Sequence, residues 1–433
     1  MNRHFTLTVL LAGFACLLLA GCQAKDEQVV EDTWASLLKI TASDTANTDN
    51  FGYAIALDGD YALIGAPGAD RTLTDGGAAY LFLKSQGGLD AWGQVKILAA
   101  EDASSSDFFG CAVSISGDYA VVGAGGENGS GTDQGAAYVF YRNQGGADNW
   151  GQVKKLVGSD TADLDGFGYA VAIDGTTIVI GADGEDGSGT DQGAAYIFTK
   201  DQGGADNWGQ VAKLVSGDPD DVNQFGYALT LKGDYALIGS PREDGAGADR
   251  GAAYLFSRNL GGADAWGLVK KIVPGDPTDD AWFAAALAID GTLAVIGSGW
   301  DDGGGTNRGA AYVFSRDSGG TDNWGQVKKL TASDARDSDM FGYAVAIDGT
   351  TVVVGAGWAN AGGTERGQAY VFTKDEGGTD SWGEVQRLRA SDAANEDWFG
   401  YSTAIFGSYI LAGAIGEDGA GSARGAAYFF KKI

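Results

Sequence analysis

Phe51-Gly-Tyr-Ala returns, intact or lightly altered, at Phe109, Phe167, Phe225, Phe283, Phe341 and Phe399, and every step is 58 residues. A tyrosine in Gly-Ala-Ala-Tyr-type runs (Tyr80, Tyr138, Tyr196, Tyr254, Tyr312, Tyr370, Tyr428) and a tryptophan (Trp34, Trp92, Trp150, Trp208, Trp266, Trp324, Trp382) keep the same step. A fixed period without insertions means seven copies of one module, packed identically. Within one copy, four short runs rich in Val, Ile, Tyr and Phe are separated by Gly and Asp clusters. They predict strands A (Phe167 to Ile173), B (Thr177 to Gly181), C (Ala194 to Thr199) and D (Trp208 to Leu214). Asp174-Gly175 suits a type I′ hairpin turn between A and B.

Seven units of four antiparallel strands predict an all-β, seven-bladed propeller, in which radial packing buries both faces of each blade. The ends of the pattern predict closure. The run Trp34 to Ile40 is a D strand with no preceding A, B or C, and the last unit stops at Phe430 after strand C. Pairing the two completes blade seven and hides an exposed sheet edge.

The seven units, from Thr33 to Ile433, resemble FG-GAP repeats of the integrin α-subunit propeller, and more closely their shorter bacterial form. The resemblance rests on Phe-Gly at strand A, on Gly65-Ala66-Pro67 and Gly239-Ser240-Pro241 closing strand B, and on the Gly-Ala-Ala-Tyr strand. It implies a recognition or adhesion module without catalysis. Many integrin repeats carry an Asp-x-Asp-x-Asp-Gly calcium loop between strands A and B; here that connection is a tight turn, so the family's calcium site does not carry over.

The first residues read as processing signal. Arg3 precedes an apolar run from Phe5 to Leu19, and Leu19-Ala20-Gly21-Cys22 fits the lipobox at which a bacterial lipoprotein is cleaved and acylated. The expected organisation is a signal peptide over 1–21, a lipidated tether over 22–32 and the propeller over 33–433. Lipid on Cys22 would be the only membrane attachment, with an outer-membrane address suggested by Gln23. About a dozen residues separate Cys22 from Trp34, a reach of roughly 40 Å, so the face carrying the A-to-B and C-to-D turns lies nearest the membrane.

Composition removes several chemistries. His4 is the only histidine and leaves with the signal, which excludes Ser-His-Asp and Cys-His nucleophiles and histidine-ligated metal sites. Cys111 is expected to be a packed core thiol. With 58 Asp and Glu against 29 Lys and Arg, a net charge of −29, nucleic acid is not an expected partner. No cofactor is expected to be required, calcium being the one that the acidic loops could take.

On the face away from the membrane, residues repeated in every copy should be scaffold and departures should be functional. Asp44, Asp102, Asp160, Asp218, Asp276, Asp334 and Asp392 recur in all D-to-A loops and are expected to cap Asx turns. Trp282, Trp300, Trp358 and Trp398 are tryptophans that the repeat does not require, with Met340 between them. Such platforms stack on sugar rings or apolar side chains; the alternative is that they fold inwards and plug the channel. Asp183, Glu185, Asp186 and Asp191 are candidate calcium ligands in a glycine-rich loop, although their spacing matches no established calcium motif, and a solvated acidic loop is the alternative. The expected function is envelope-anchored recognition of a glycan or protein by a monomer. A periplasmic assembly scaffold and a carboxylate-based polysaccharide-active enzyme are the alternatives.

Overall fold

The computed structural model describes residues 33–433 except 72, 130, 188 and 219–221. Every regular element among the described residues is a β-strand, and the strands form seven antiparallel four-stranded sheets. In blade three, strand A is Ala170–Asp174, B Thr177–Ala182, C Ala194–Thr199 and D Gly209–Leu214, paired in that order. A strands of successive blades pack on one another around the ring, which makes them the innermost strands.

Closure follows the predicted pairing. Trp34–Ile40 pairs antiparallel with the C strand Ala426–Lys432 of blade seven. Its register slips between Ser36 and Leu38, the same irregularity found between C and D of blade three at Ile197/Phe198. The closing strand is therefore geometrically equivalent to a D strand from its own repeat. Blade seven then shares a core with blade one, where Tyr409, Leu411 and Phe429 pack with Phe51, Ile64, Phe82 and Trp92. Trp92 stacks on Phe429 at 4.3 Å between ring centroids. That phenylalanine stands where other blades carry Leu, Val or Ile, so the seam has an aromatic contact that the other junctions lack.

Two local expectations are corrected. Strand A starts at Ala170, three residues after Phe167. Phe167 instead forms a parallel bridge with Gly135 of the preceding blade and lies edge-on to Tyr196 and Phe198 of its own. Gly168 follows at φ 96°, and a Cβ there would sit 2.1 Å from the carbonyl oxygen of Ala136. The Phe-Gly pair is an inter-blade rivet, and its glycine is required by that close approach. The A-to-B turn is also not type I′. Asp174 pairs with Thr177, so the turn residues are Gly175 and Thr176, and only Gly175 has positive φ (58°). Glycine alone at the first central position is the type II′ pattern. Asp174 Oδ2 meanwhile accepts the Gly233 N–H of the next turn at 2.7 Å, linking neighbouring blades on that face.

The repeated tryptophans are scaffold. Trp92, Trp150, Trp208, Trp266, Trp324 and Trp382 are buried, and all six have φ between 41° and 52°. Each D strand therefore begins one residue after its tryptophan. Trp150 and Trp208 pack edge-on against Tyr61 and Tyr119 of the preceding blades.

Candidate functional site: an aromatic face

The D-to-A and B-to-C loops share one end of the propeller, held together by the Phe-to-Gly bridges between blades. Beneath them runs a repeated polar network. In blade three, Lys213 Nζ lies 2.7 Å from Asp160 and 2.8 Å from Glu185, while Tyr196 donates its hydroxyl to Asp160 at 2.9 Å. Desolvation acts to raise the Asp160 pKa, but hydrogen bonds from Lys213 and Tyr196 outweigh it and hold the carboxyl below the usual range. Blades two and seven repeat the set as Lys155, Asp102, Glu127 and as Lys39, Asp392, Glu417. The recurrent loop aspartates are scaffold, but they act by taking Tyr, Lys or Arg partners, Arg71 at Asp44 and Arg387 at Asp334 among them, and not as Asx caps. The local caps are Asp49, Asp107, Asp165, Asp339 and Asp397, each accepting the backbone N–H three residues earlier.

The repeat-breaking tryptophans come together above this network. Trp282 lies 4.6 Å from Trp300, Trp300 lies 5.8 Å from Tyr343, Tyr343 lies 4.6 Å from Trp358, and Trp358 lies 6.4 Å from Trp398. All four indoles are half-buried. They neither sink into the blade cores nor stand free. The Trp398 indole N–H donates to Glu365 at 2.9 Å, and the Arg242 guanidinium sits 5.6 Å from the Trp282 ring while pairing with Asp249 at 3.4 Å. The wall thus has fixed orientation and presents apolar faces beside polar groups. Met340 is half-buried in the same loop frame as Trp282 and Trp398, and all three have φ near 50°.

Tyr343 belongs to a feature that sequence reasoning passed over. The second residue after each strand-A phenylalanine is Tyr53, Cys111, Tyr169, Tyr227, Ala285, Tyr343 or Tyr401, and it lies at the mouth of the axial channel. Tyr53 and Tyr401 are 5.3 Å apart, Tyr343 and Tyr401 5.1 Å, and Tyr169 and Tyr227 5.3 Å. Burial raises the pKa of every one of these phenols, so the belt is neutral at physiological pH. The signal was in the repeat, in the third letter of Phe-Gly-Tyr, but periodicity alone could not say that this position faces the axis. Cys111 is corrected by the same observation. It is half-buried and lines the channel instead of packing inside a blade, and desolvation pushes its thiol up to about 11.

The four calcium candidates do not converge. Glu185 is engaged by Lys213. Asp186 accepts the Asp191 N–H at 3.2 Å in a local turn. Asp183, its carboxyl raised to about 6 by desolvation, faces the tyrosines near the axis. Among the described residues no group of three or more His, Cys, Asp or Glu side chains could hold a metal ion. Cys22 and the tether lie outside the described residues.

These features define a class: a seven-bladed β-propeller, sealed by its N-terminal strand, with an aromatic face at one end. Within that class the segments 34–82, 92–140, 150–198, 208–256, 266–314, 324–372 and 382–430 each match the FG-GAP repeat. The chain belongs to the FG-GAP repeat family, whose propellers are of the ligand-binding or adhesion type and typically non-catalytic. No curated protein matches the chain. Among solved structures, one chain of the crystal structure of the mitotic checkpoint complex is similar with a TM-score of 0.55 at 11% identity, covering 98% of this chain and 99% of that one. At that identity the likeness is one of fold.

Proposed function

We propose that the protein is a non-catalytic recognition module, anchored to the cell envelope through lipid on Cys22, that binds a glycan or a protein ligand through its aromatic face. The observation that carries this is the unbroken run Trp282, Trp300, Tyr343, Trp358, Trp398, with Met340 in the same loop frame. Clustered, partly desolvated tryptophans are the commonest anchors of interaction hot spots, and their faces suit pyranose rings as well as apolar side chains. Neighbouring Glu365 and Asp249 supply hydrogen-bond acceptors at the edge of the wall. The absence of histidine from the expected mature chain and the family's usual lack of catalysis both support a binding role.

Tethering through Cys22 would leave this face directed outwards, because the closing strand begins at the opposite end of the propeller. Replacing Trp300 and Trp358 together by alanine should reduce binding to a glycan array or to a cross-linked partner by at least about tenfold, since a hot-spot tryptophan contributes roughly 2 kcal/mol or more. Undiminished binding by a folded double variant would refute the proposed site.

A further inference from the structure

The aromatic wall has an open counterpart elsewhere on the same face. Three repeats separate blade two from blade five, and across that step Gly68 corresponds to Arg242, Asp75 to Asp249, Phe108 to Trp282, Cys111 to Ala285, Gly126 to Trp300 and Tyr169 to Tyr343. In the later set the space is filled by the protein. Arg242 pairs with Asp249 at 3.4 Å and lies over Trp282 at 5.6 Å, and the Trp300 indole is held between Trp282, at 4.6 Å, and Tyr343, at 5.8 Å. In the earlier set both filling side chains are replaced by glycine. Gly68 and Gly126 instead let the loops before strand A close in, a Cβ at Gly126 meeting the Ser106 carbonyl oxygen at 2.3 Å and the Phe108 ring at 2.8 Å, and both glycines line a pocket of about 400 Å³ bounded mostly by apolar surface. That size falls within the range of small-molecule sites.

The walls of this pocket are already placed. Tyr53 is held against Tyr401 and Tyr169 against Tyr227, so neither ring is free to collapse into the gap left by Cys111. Phe108 forms the lip and is 42% exposed. Of the residues lining the pocket only Asp75 is charged. The position of Asp75, three repeats before the aspartate that pairs with Arg242, gives the pocket one apolar slot and one acidic corner in a fixed arrangement.

We propose that this pocket binds a small aromatic ring carrying a cationic amine. The ring occupies the apolar part of the pocket bounded by Phe108 and Tyr169. The ammonium faces Asp75 as Arg242 faces Asp249. Anions are disfavoured by Asp75, by the lack of any cation in the lining and by the net charge of −29. The inference goes beyond the function proposed above and shares none of its residues, so either can fail alone.

The test is a titration of the full-length protein by ligand-observed NMR with tryptamine, indole and indole-3-acetate as probes. Tryptamine should bind most tightly, indole several-fold more weakly, and indole-3-acetate weakest of the three. Cys111→Tyr, which restores the residue found in five of the seven copies, should fill the slot and abolish tryptamine binding. Asp75→Asn keeps a residue type that tolerates the left-handed backbone at this position, φ 50°, and should bring tryptamine down to the affinity of indole. Trp300→Ala with Trp358→Ala should leave all three affinities unchanged. The proposal is overturned if tryptamine shows no binding at about 10 mM, a concentration far above the micromolar constants of ordinary small-molecule sites. It is equally overturned if the anion binds as well as the amine, or if folded Cys111→Tyr binds tryptamine normally.

Discussion

The closing strand supplies the sharpest stability test. Trp34 and Ile40 are 3% and 6% exposed and sit at opposite ends of the strand that completes blade seven. Replacing both by alanine removes two buried side chains while leaving the backbone ladder to the last C strand in place. Large-to-small changes of this kind cost about 3–5 kcal/mol for Trp and about 2–5 kcal/mol for Ile. The two sites lie far enough apart for the losses to add, giving roughly 5–10 kcal/mol. Unfolding a cooperative ring of roughly 400 residues carries an entropy of about 0.8 kcal/mol per kelvin, so the midpoint should fall by roughly 6–12 °C. Differential scanning calorimetry of the double variant, beside Trp92→Ala with Leu98→Ala in the equivalent strand of blade one, measures this directly. Both variants should show one transition shifted by a similar amount, because each removes the same kind of buried pair from the outer strand of one blade in a single cooperative ring. A main transition left within about 1–2 °C of the parent, preceded by a small separate one, would mean that blade seven frays alone. It would refute closure as the basis of cooperativity.

Stability should also depend on pH in two opposite ways. Desolvation raises Asp165 to about 6, so its neutral form is favoured in the folded state; that contribution is complete below the unfolded value near 4 and is lost as pH rises through 6. Asp102, Asp160, Asp334 and Asp392 are lowered, so their contribution is present above about pH 4 and is lost on further acidification. The melting temperature should accordingly be highest near about pH 4 to 5 and fall as pH rises through 6, and Asp165→Asn, the residue type found at Asn223 in the same frame, should raise it at pH 7 and leave it unchanged near pH 4. A flat profile, or a stabilisation of the variant that is equal at both pH values, would contradict this assignment. Chelation of calcium should leave the melting temperature nearly unchanged, and a large drop restored by calcium over magnesium would show that the acidic loops form metal sites. Cys22→Ser should move the chain from the membrane to the soluble fraction on cell fractionation, and continued membrane association would remove the lipid anchor.

The period of 58 residues and the unpaired first strand were sufficient to specify the number of blades, the four strands in each and the way the ring closes. These properties are legible because every copy repeats the same local pattern of apolar strands and glycine-rich turns, and because a lone D strand at one end has a single complement, the three strands that lack a D at the other. The repeat-breaking tryptophans could likewise be named in advance, since each stands out against the five copies that carry another residue at its position. What they touch was decided by tertiary structure. Trp282 and Trp300 are 18 residues apart in the chain, yet the run from Trp282 to Trp398 forms only because the loops of successive blades converge on one axis.

The same convergence assigned roles that the repeat left open. Phe167 reads as the start of a strand, but its bridge to Gly135 of another blade makes it a rivet. Asp160 reads as a turn cap, but Lys213 and Tyr196 reach it from strands that fold back beside its loop. Cys111 reads as core, but its strand is innermost and the residue faces the channel. Local periodicity fixes which residues alternate along a strand. Only the packing of one blade on the next fixes which of those faces meets an axis, a neighbour or solvent, and that is why a tyrosine belt, a tryptophan wall and an open pocket could all be written into copies of one repeat.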